Sequence, residues 1–257
     1  MYHYRLILYP LFGVLPSLVW LAYYLKKDLH PEPKRMIVKV FLLGSLITIP
    51  VFFIQIVFSE ILQELTTLPL FVNFPGLVSI IKWFVIIAFT EELLKYLVVR
   101  IVVFKSYELD EPIDIMMYII TAALGFAALE NILYLISPID NAPFDVVIAT
   151  TISISFIRFI GATFLHTLSS ALLGFFLILS FFHIKTRKIL TVCGLLAATF
   201  LHGLYNFSII TLDYPFNVLV PIIILMTLAI FIMGELKRVK RLKNICYLLS
   251  VDWRYLL

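Results

Sequence analysis

The sequence predicts an all-α fold, a polytopic transmembrane helix bundle of about seven spans with one further interfacial or re-entrant helix. Three observations predict it. The 257 residues are 62% hydrophobic and only 14% charged, and the mean hydropathy of +1.06 lies outside the range of soluble domains. Apolar runs recur roughly every 20 to 40 residues with short polar connections, which leaves no stretch large enough for a separate soluble domain. Lys and Arg gather in alternate connections, as the positive-inside bias of a polytopic chain requires.

Residues 6–25 form the first span. Its strongest positive cluster follows rather than precedes it, so a retained span is expected, not a cleaved signal. Lys26, Lys27, Lys34, Arg35 and Lys39 surround the stretch Asp28-Leu29-His30-Pro31-Glu32-Pro33. That density of basic residues puts the connection in the cytoplasm and the amino terminus outside. Residues 37–58 return to an outer loop that carries Glu60 and Glu64 and ends in Asn73-Phe74-Pro75-Gly76. Residues 78–104 descend with Glu91, Glu92 and Lys95 inside the span and Arg100 and Lys105 at its inner end. After a polar turn near Glu108 and Pro112, residues 113–136 ascend with Glu130-Asn131 in their outer half.

Residues 144–182 are too long for one span and barely long enough for two. Charge parity decides: 144–158 lies along or re-enters the outer face, and 159–182 crosses inward to the basic loop Lys185, Arg187 and Lys188. Residues 189–212 hold His202 and Asn206, and 215–233 end in Lys237, Arg238, Lys240, Arg241 and Lys243. Residues 1–236 are thus one membrane-embedded domain, and 237–257 a basic amphipathic cytoplasmic tail suited to an anionic inner leaflet. The net charge of +4 is accounted for by these loops, and no basic face interleaved with aromatics points to nucleic acid. Cys193 and Cys246 make neither a metal pair nor a disulfide framework.

Charged side chains inside spans cost roughly 2.5 to 3.5 kcal/mol each on insertion scales, so they need partners and mark function by default. Glu91 and Glu92 are the sharpest case. Adjacent carboxylates point about 100° apart around a helix, so Lys95 alone cannot serve both well. Three more spans carry polar groups four residues apart or at similar depth: Glu130 after Phe126, His166 before Ser170, and His202 before Asn206. A lone intramembrane histidine is commonly a hydrogen-bonded packing residue, and Glu130 alone has Arg158 or Lys82 as a structural partner. Four helices feeding carboxylates and imidazoles into one layer is how bundle-core catalytic and metal sites are built.

Two chemistries suit the set. In one, Glu91 or Glu92 takes a proton from water while His202 and Asn206 stabilise a developing oxyanion. In the other, His166, His202 and one or two glutamates hold a divalent metal such as zinc. No His-Glu-x-x-His helix is present, so a metal must be held by residues from separate helices.

The ordered motifs Glu91-Glu92-x-x-Lys95, Phe126-x-x-x-Glu130, His166 and His202-x-x-x-Asn206 resemble the PrsW-type intramembrane proteases, relatives of the CAAX prenyl endopeptidases and bacteriocin-processing proteins. The stretch from Asp28 to Pro33 also resembles that family's amino-terminal pattern. The resemblance implies a peptidase-like domain that hydrolyses a peptide bond in a membrane-anchored protein, in a bacterial or archaeal plasma membrane. It implies Glu91 as general base and Asn206 as an oxyanion donor. The wider superfamily has Arg and His where this chain has Lys95 and Glu130, which points to the PrsW branch and away from a prenyl-protein substrate. The expected catalytic set is Glu91, Glu92, Lys95, Glu130, His166, His202 and Asn206. The expected metal ligands are Glu92, Glu130, His166 and His202. A proton-coupled transporter or channel and a catalytically silent binding or immunity protein are the alternatives, the first lacking the repeats and broken helices such proteins show.

Overall fold

The computed structural model describes residues 4–27, 32–136 and 143–239. Ten α-helices follow in chain order: α1 (Arg5–Leu25), α2 (Lys34–Leu65), α3 (Pro69–Asn73), α4 (Gly76–Ile80), α5 (Thr90–Val102), α6 (Pro112–Ile136), α7 (Phe144–Ile160), α8 (Ala162–Phe182), α9 (Arg187–Thr211) and α10 (Phe216–Val239). A π-helix, Ile81–Phe89, joins α4 to α5. Six helical stretches are long and apolar enough to cross a membrane among the described residues: α1, α2, α6, the α7–α8 pair, α9 with its preceding turn, and α10. The remaining expected span, 78–104, is the helical run of α4, the π segment and α5. Split into pieces of 5, 9 and 13 residues, it is not one of those six.

The bundle is organised around α6. Every residue from Pro112 to Ala128 is buried, because α6 is packed between α1, α2, α5 and α8. Its sequence is apolar on all sides for the same reason, since a helix enclosed by others has no polar face to present. Small residues bring α2 and α6 close. A Cβ at Gly44 would collide with the Ala122 carbonyl, and one at Gly125 with that of Phe41. At this approach Ser45 Oγ donates to the Gly125 carbonyl at 2.7 Å and Thr48 Oγ1 to that of Phe126 at 3.3 Å. Such interhelical bonds are worth about 0.6 kcal/mol each on average within a membrane.

The expected division of residues 144–182 matches a break in the chain. Helices α7 and α8 meet at Gly161, whose φ of −103° and ψ of −95° interrupt the helix. Tyr205 Oη from α9 and the Ile157 carbonyl fill the space where a Cβ would sit. Helix α7 packs on α1 and α8, and Ser155 Oγ bonds the Phe12 carbonyl at 2.7 Å. Helix α10 runs through Lys237 and Arg238 to Val239, so the start of the expected tail is the last turn of a helix. Residues 240–257, and Asp28 to Pro31 of the first basic loop, lie outside the described residues.

Candidate active site

The turn that opens α5 carries the first part of the site. The π segment leads directly into Thr90, whose hydroxyl bonds back to the Ile86 and Ile87 carbonyls at 2.5 and 3.0 Å. Wide π turns are frequent at functional positions, and they shift a helix face against its neighbours. Gly203 of α9 lies against Phe84 of this segment with no room for a Cβ. That contact seats His202, the preceding residue, beside Glu91 and Glu92.

Glu91, Glu92, Lys95, His166 and His202 are all at most 2% exposed. The ammonium of Lys95 joins them: its Nζ lies 3.0 Å from Glu92 Oε1, 3.5 Å from Glu91 Oε2 and 2.8 Å from His166 Nδ1. It also stands 4.4 Å from the centre of the Phe126 ring, a favourable cation–π position. Lys95 therefore reaches both glutamates, Glu92 more closely.

Three further donors complete the surroundings of Glu92. Ser169 Oγ and Ser170 Oγ donate to Oε1 and Oε2 at 3.2 and 3.0 Å, and His202 Nδ1 lies 2.8 Å from Oε1. With Nδ1–H given to Glu92, the lone pair of His202 is on Nε2, 3.7 Å from Glu91 Oε2. His166 repeats the pattern from the other side. Its Nε2 lies 2.9 Å from Glu130 Oε2, while Nδ1 faces Lys95 and lies 3.8 Å from Glu91 Oε2. A carboxylate behind each imidazole fixes ring and tautomer, an arrangement typical of metal-binding histidines.

Glu130 is held in turn by Arg158 of α7 at 2.6 Å, one of the two partners its sequence position suggested. Arg158 also donates through Nε to Asn131 Oδ1 and stacks its guanidinium 3.9 Å from the centre of the Tyr134 ring. Asn131 donates to the Gly13 carbonyl and to Thr163, both at 3.1 Å, tying α6 to α1 and α8.

Glu91 is less enclosed. Its Oε1 accepts one hydrogen bond, from Gln55 Nε2 of α2 at 3.1 Å. It faces a cavity of ≈ 600 Å³ that is also lined by Gln55, Trp83, Glu130, His166, His202 and Asn206. Neither Glu92 nor Lys95 lines that cavity. The seven expected residues thus divide. Glu91, Glu130, His166, His202 and Asn206 face the cavity, whereas Glu92 and Lys95 lie behind them.

The expected ligand set Glu92, Glu130, His166 and His202 differs from what the geometry brings together. The donor atoms of Glu91, His166 and His202 lie within 4.8 Å of one another. Glu92 is taken up by four donors and Glu130 by Arg158 and the far nitrogen of His166, so both back the imidazoles, Glu92 away from the cavity and Glu130 on its wall. Two imidazoles and one carboxylate with an open side suit a divalent metal of the zinc type.

The sequence pointed to Ser170, one turn after His166, but not to Gln55 or Ser169. Gln55 had a legible signal, being the single polar side chain in the apolar run 49–58. Ser169 had none, since hydroxyls commonly bond their own helix backbone inside spans.

The chain matches a family model described as PrsW family intramembrane metalloprotease over residues 32–233. It is 31% identical over 219 residues to a protein named Protease PrsW from Oceanobacillus iheyensis, covering 83% of this chain and 91% of that protein. Proteins of the same name from Geobacillus kaustophilus and Bacillus subtilis are 31% and 29% identical, over 77% and 82% of this chain and 78% and 87% of their own lengths. No solved structure matches.

Proposed function

The chain belongs to the PrsW family of intramembrane metalloproteases, and from that premise we propose that Glu91, His166 and His202 hold a divalent metal at the cavity floor and hydrolyse a membrane-anchored protein there. The chain is an intramembrane protease. The observation that carries the site reading is the paired imidazole–carboxylate arrangement. Glu92 and Glu130 orient His202 and His166 so that Nε2 of the first and Nδ1 of the second face Glu91 Oε2, the Nδ1 of His166 also standing 2.8 Å from Lys95 Nζ. Zinc or a similar ion, once bound, supplies Lewis-acid polarisation of the scissile carbonyl and a nucleophile at neutral pH.

The chain's own groups account for the remaining steps. Glu91 takes the proton of the attacking water, the new C–O bond forms, and the proton passes to the leaving amine as the C–N bond breaks. Asn206, one turn after His202 and lining the cavity, donates to the oxyanion that develops. Lys95 balances the two glutamates, which keeps their charges compatible in a dry interior. The apolar part of the cavity wall, with Val51, Phe52, Ile87 and Leu133, accepts side chains of a locally unwound substrate.

The contact of Lys95 Nζ with His166 Nδ1 favours a second reading, in which Glu91 activates water with no metal and Lys95 keeps His166 in place. The basic loops support an amino terminus outside and a carboxyl terminus in the cytoplasm, with cleavage near the outer side of a prokaryotic plasma membrane. The paired glutamates and the final His-x-x-x-Asn support kinship with the CAAX prenyl endopeptidases.

Reconstitution of the purified protein with tagged single-span proteins tests the assignment. Cleavage is expected in the wild type, and a fall of about 10³-fold or more in Glu91→Ala and His202→Ala. Chelation should abolish cleavage and zinc restore it. Full activity in both variants overturns the site, and activity that survives metal removal selects the carboxylate-only reading.

A further inference from the structure

We propose that Gln55 of α2 is a positioning residue for Glu91, holding one carboxylate oxygen so that the other faces the two imidazoles. The inference rests on the reading of Glu91 as both a holder of the metal and the proton acceptor. Its basis is the unequal treatment of the two glutamates. Glu92 receives Lys95, Ser169, Ser170 and His202. Glu91 has one short hydrogen bond, from Gln55 Nε2 to Oε1 at 3.1 Å, while its other polar neighbours stand 3.5 to 3.8 Å from Oε2.

A carboxylate with a single close donor has a free torsion about its last bond. Without the amide, Glu91 can swing into the cavity or turn Oε1 toward Lys95. With it, the plane of the carboxylate is fixed by a group from a different helix. Gln55 is well suited to the task. Its amide donates without carrying charge, so it orients Glu91 without neutralising it as a base, whereas a lysine or arginine there would compete with the metal. The position is also one where an amide demands explanation, since residues 49–58 of α2 are otherwise apolar and an unpartnered amide in a span is costly.

Helix α2 thereby takes part in the active site without contributing a ligand. Its close seat on α6, through Gly44 and Gly125, sets how far Gln55 reaches toward Glu91. The same helix lines one wall of the cavity with Thr48, Val51 and Phe52. Separation of α2 from α6 by a bound substrate would therefore act on the angle of Glu91.

Gln55→Leu and Gln55→Glu, both close in volume, test the proposal in the reconstituted, zinc-loaded protein with a tagged single-span substrate. Leucine removes the donor and suits a span; glutamate keeps the shape but, at hydrogen-bond distance from Glu91, shares a proton with it and so blunts it as a base. Both should lower kcat by about 10- to 100-fold, the rate equivalent of one hydrogen bond to a charged group. KM should stay within about twofold, since no substrate contact is lost, and zinc content should match the wild type. Unchanged kcat in either variant, or a loss confined to KM, overturns the role of Gln55. Absence of cleavage and of bound zinc in the wild type itself overturns the reading of the site, and this inference with it.

Discussion

Two trios of ligand-type side chains are brought together among the described residues, and only one has the surroundings of the proposed catalytic centre. Glu91, His166 and His202 form the first; Glu32, Asp110 and Asp114 form the second, near the start of α6. In both, the ligand atoms lie within 4.8 Å of one another. In the first trio each imidazole is backed by a second carboxylate, and the group opens on a large cavity. In the second, Asp114 Oδ2 accepts the Asp110 and Glu111 N–H groups at 3.0 and 2.6 Å. That is helix capping, which serves N–H groups that have no partner inside the helix. Glu32, in turn, accepts the hydroxyl of Tyr118. Proximity of carboxylates is therefore a poor guide by itself, and what their remaining lone pairs do is a better one.

The sharpest way to break this contrast is to remove the carboxylate behind His202. Glu92→Ala deletes four hydrogen-bond acceptor contacts in a position with 0% exposure. Removing one partner of a buried pair costs about 3 to 5 kcal/mol, so the thermal unfolding midpoint in detergent should fall by many degrees. Zinc affinity should also fall, because His202 loses the acceptor that fixes its tautomer. A variant as stable as the wild type would show that Glu92 is not the structural centre of the cluster.

A smaller effect is expected one shell away. Glu130→Gln keeps the side chain's shape but weakens its bonds to Arg158 and His166 Nε2. Loss of such a partner behind a metal-binding histidine lowers affinity by about 10- to 100-fold. Isothermal titration with zinc reads this directly. Wild-type affinity would mean that His166 is oriented by Lys95 instead.

Much of this was legible before any coordinates. The helical class, the polar layer and its main members follow from charges placed where lipid would exclude them: Glu91, Glu92, Glu130, His166 and His202 each sit in an apolar run. The division of labour was not legible. Glu91 and Glu92 are chemically identical, and what separates them is a hydroxyl pair on α8 and an amide on α2, far apart in sequence. Spacing also hid the trio of Glu91, His166 and His202, because which nitrogen of His202 each glutamate meets depends on the phase of α5 after the π segment. Arg158 could be foreseen as a partner of Glu130, since a span-buried acid needs a base and few were at hand.

The smallest effect belongs to the second trio, and it is the one that isolates the lesson. Asp114→Ala removes the acceptor for the N–H groups of Asp110 and Glu111 and leaves the first turn of α6 uncapped. Loss of such a cap costs about 1 to 2 kcal/mol, a modest fall in unfolding midpoint. Cleavage per folded molecule should stay within about twofold, because the cap lies at one end of α6 and Glu130 near the other. Divalent ions decide the matter. If the trio is a cap, zinc should stabilise wild type and Asp114→Ala by the same amount, since on the proposed reading it acts through Glu91, His166 and His202, and calcium, which takes oxygen ligands, should stabilise neither. A stabilisation present in the wild type and missing from the variant would make the second trio a metal site, and lone-pair accounting would then fail as the rule for telling the two apart.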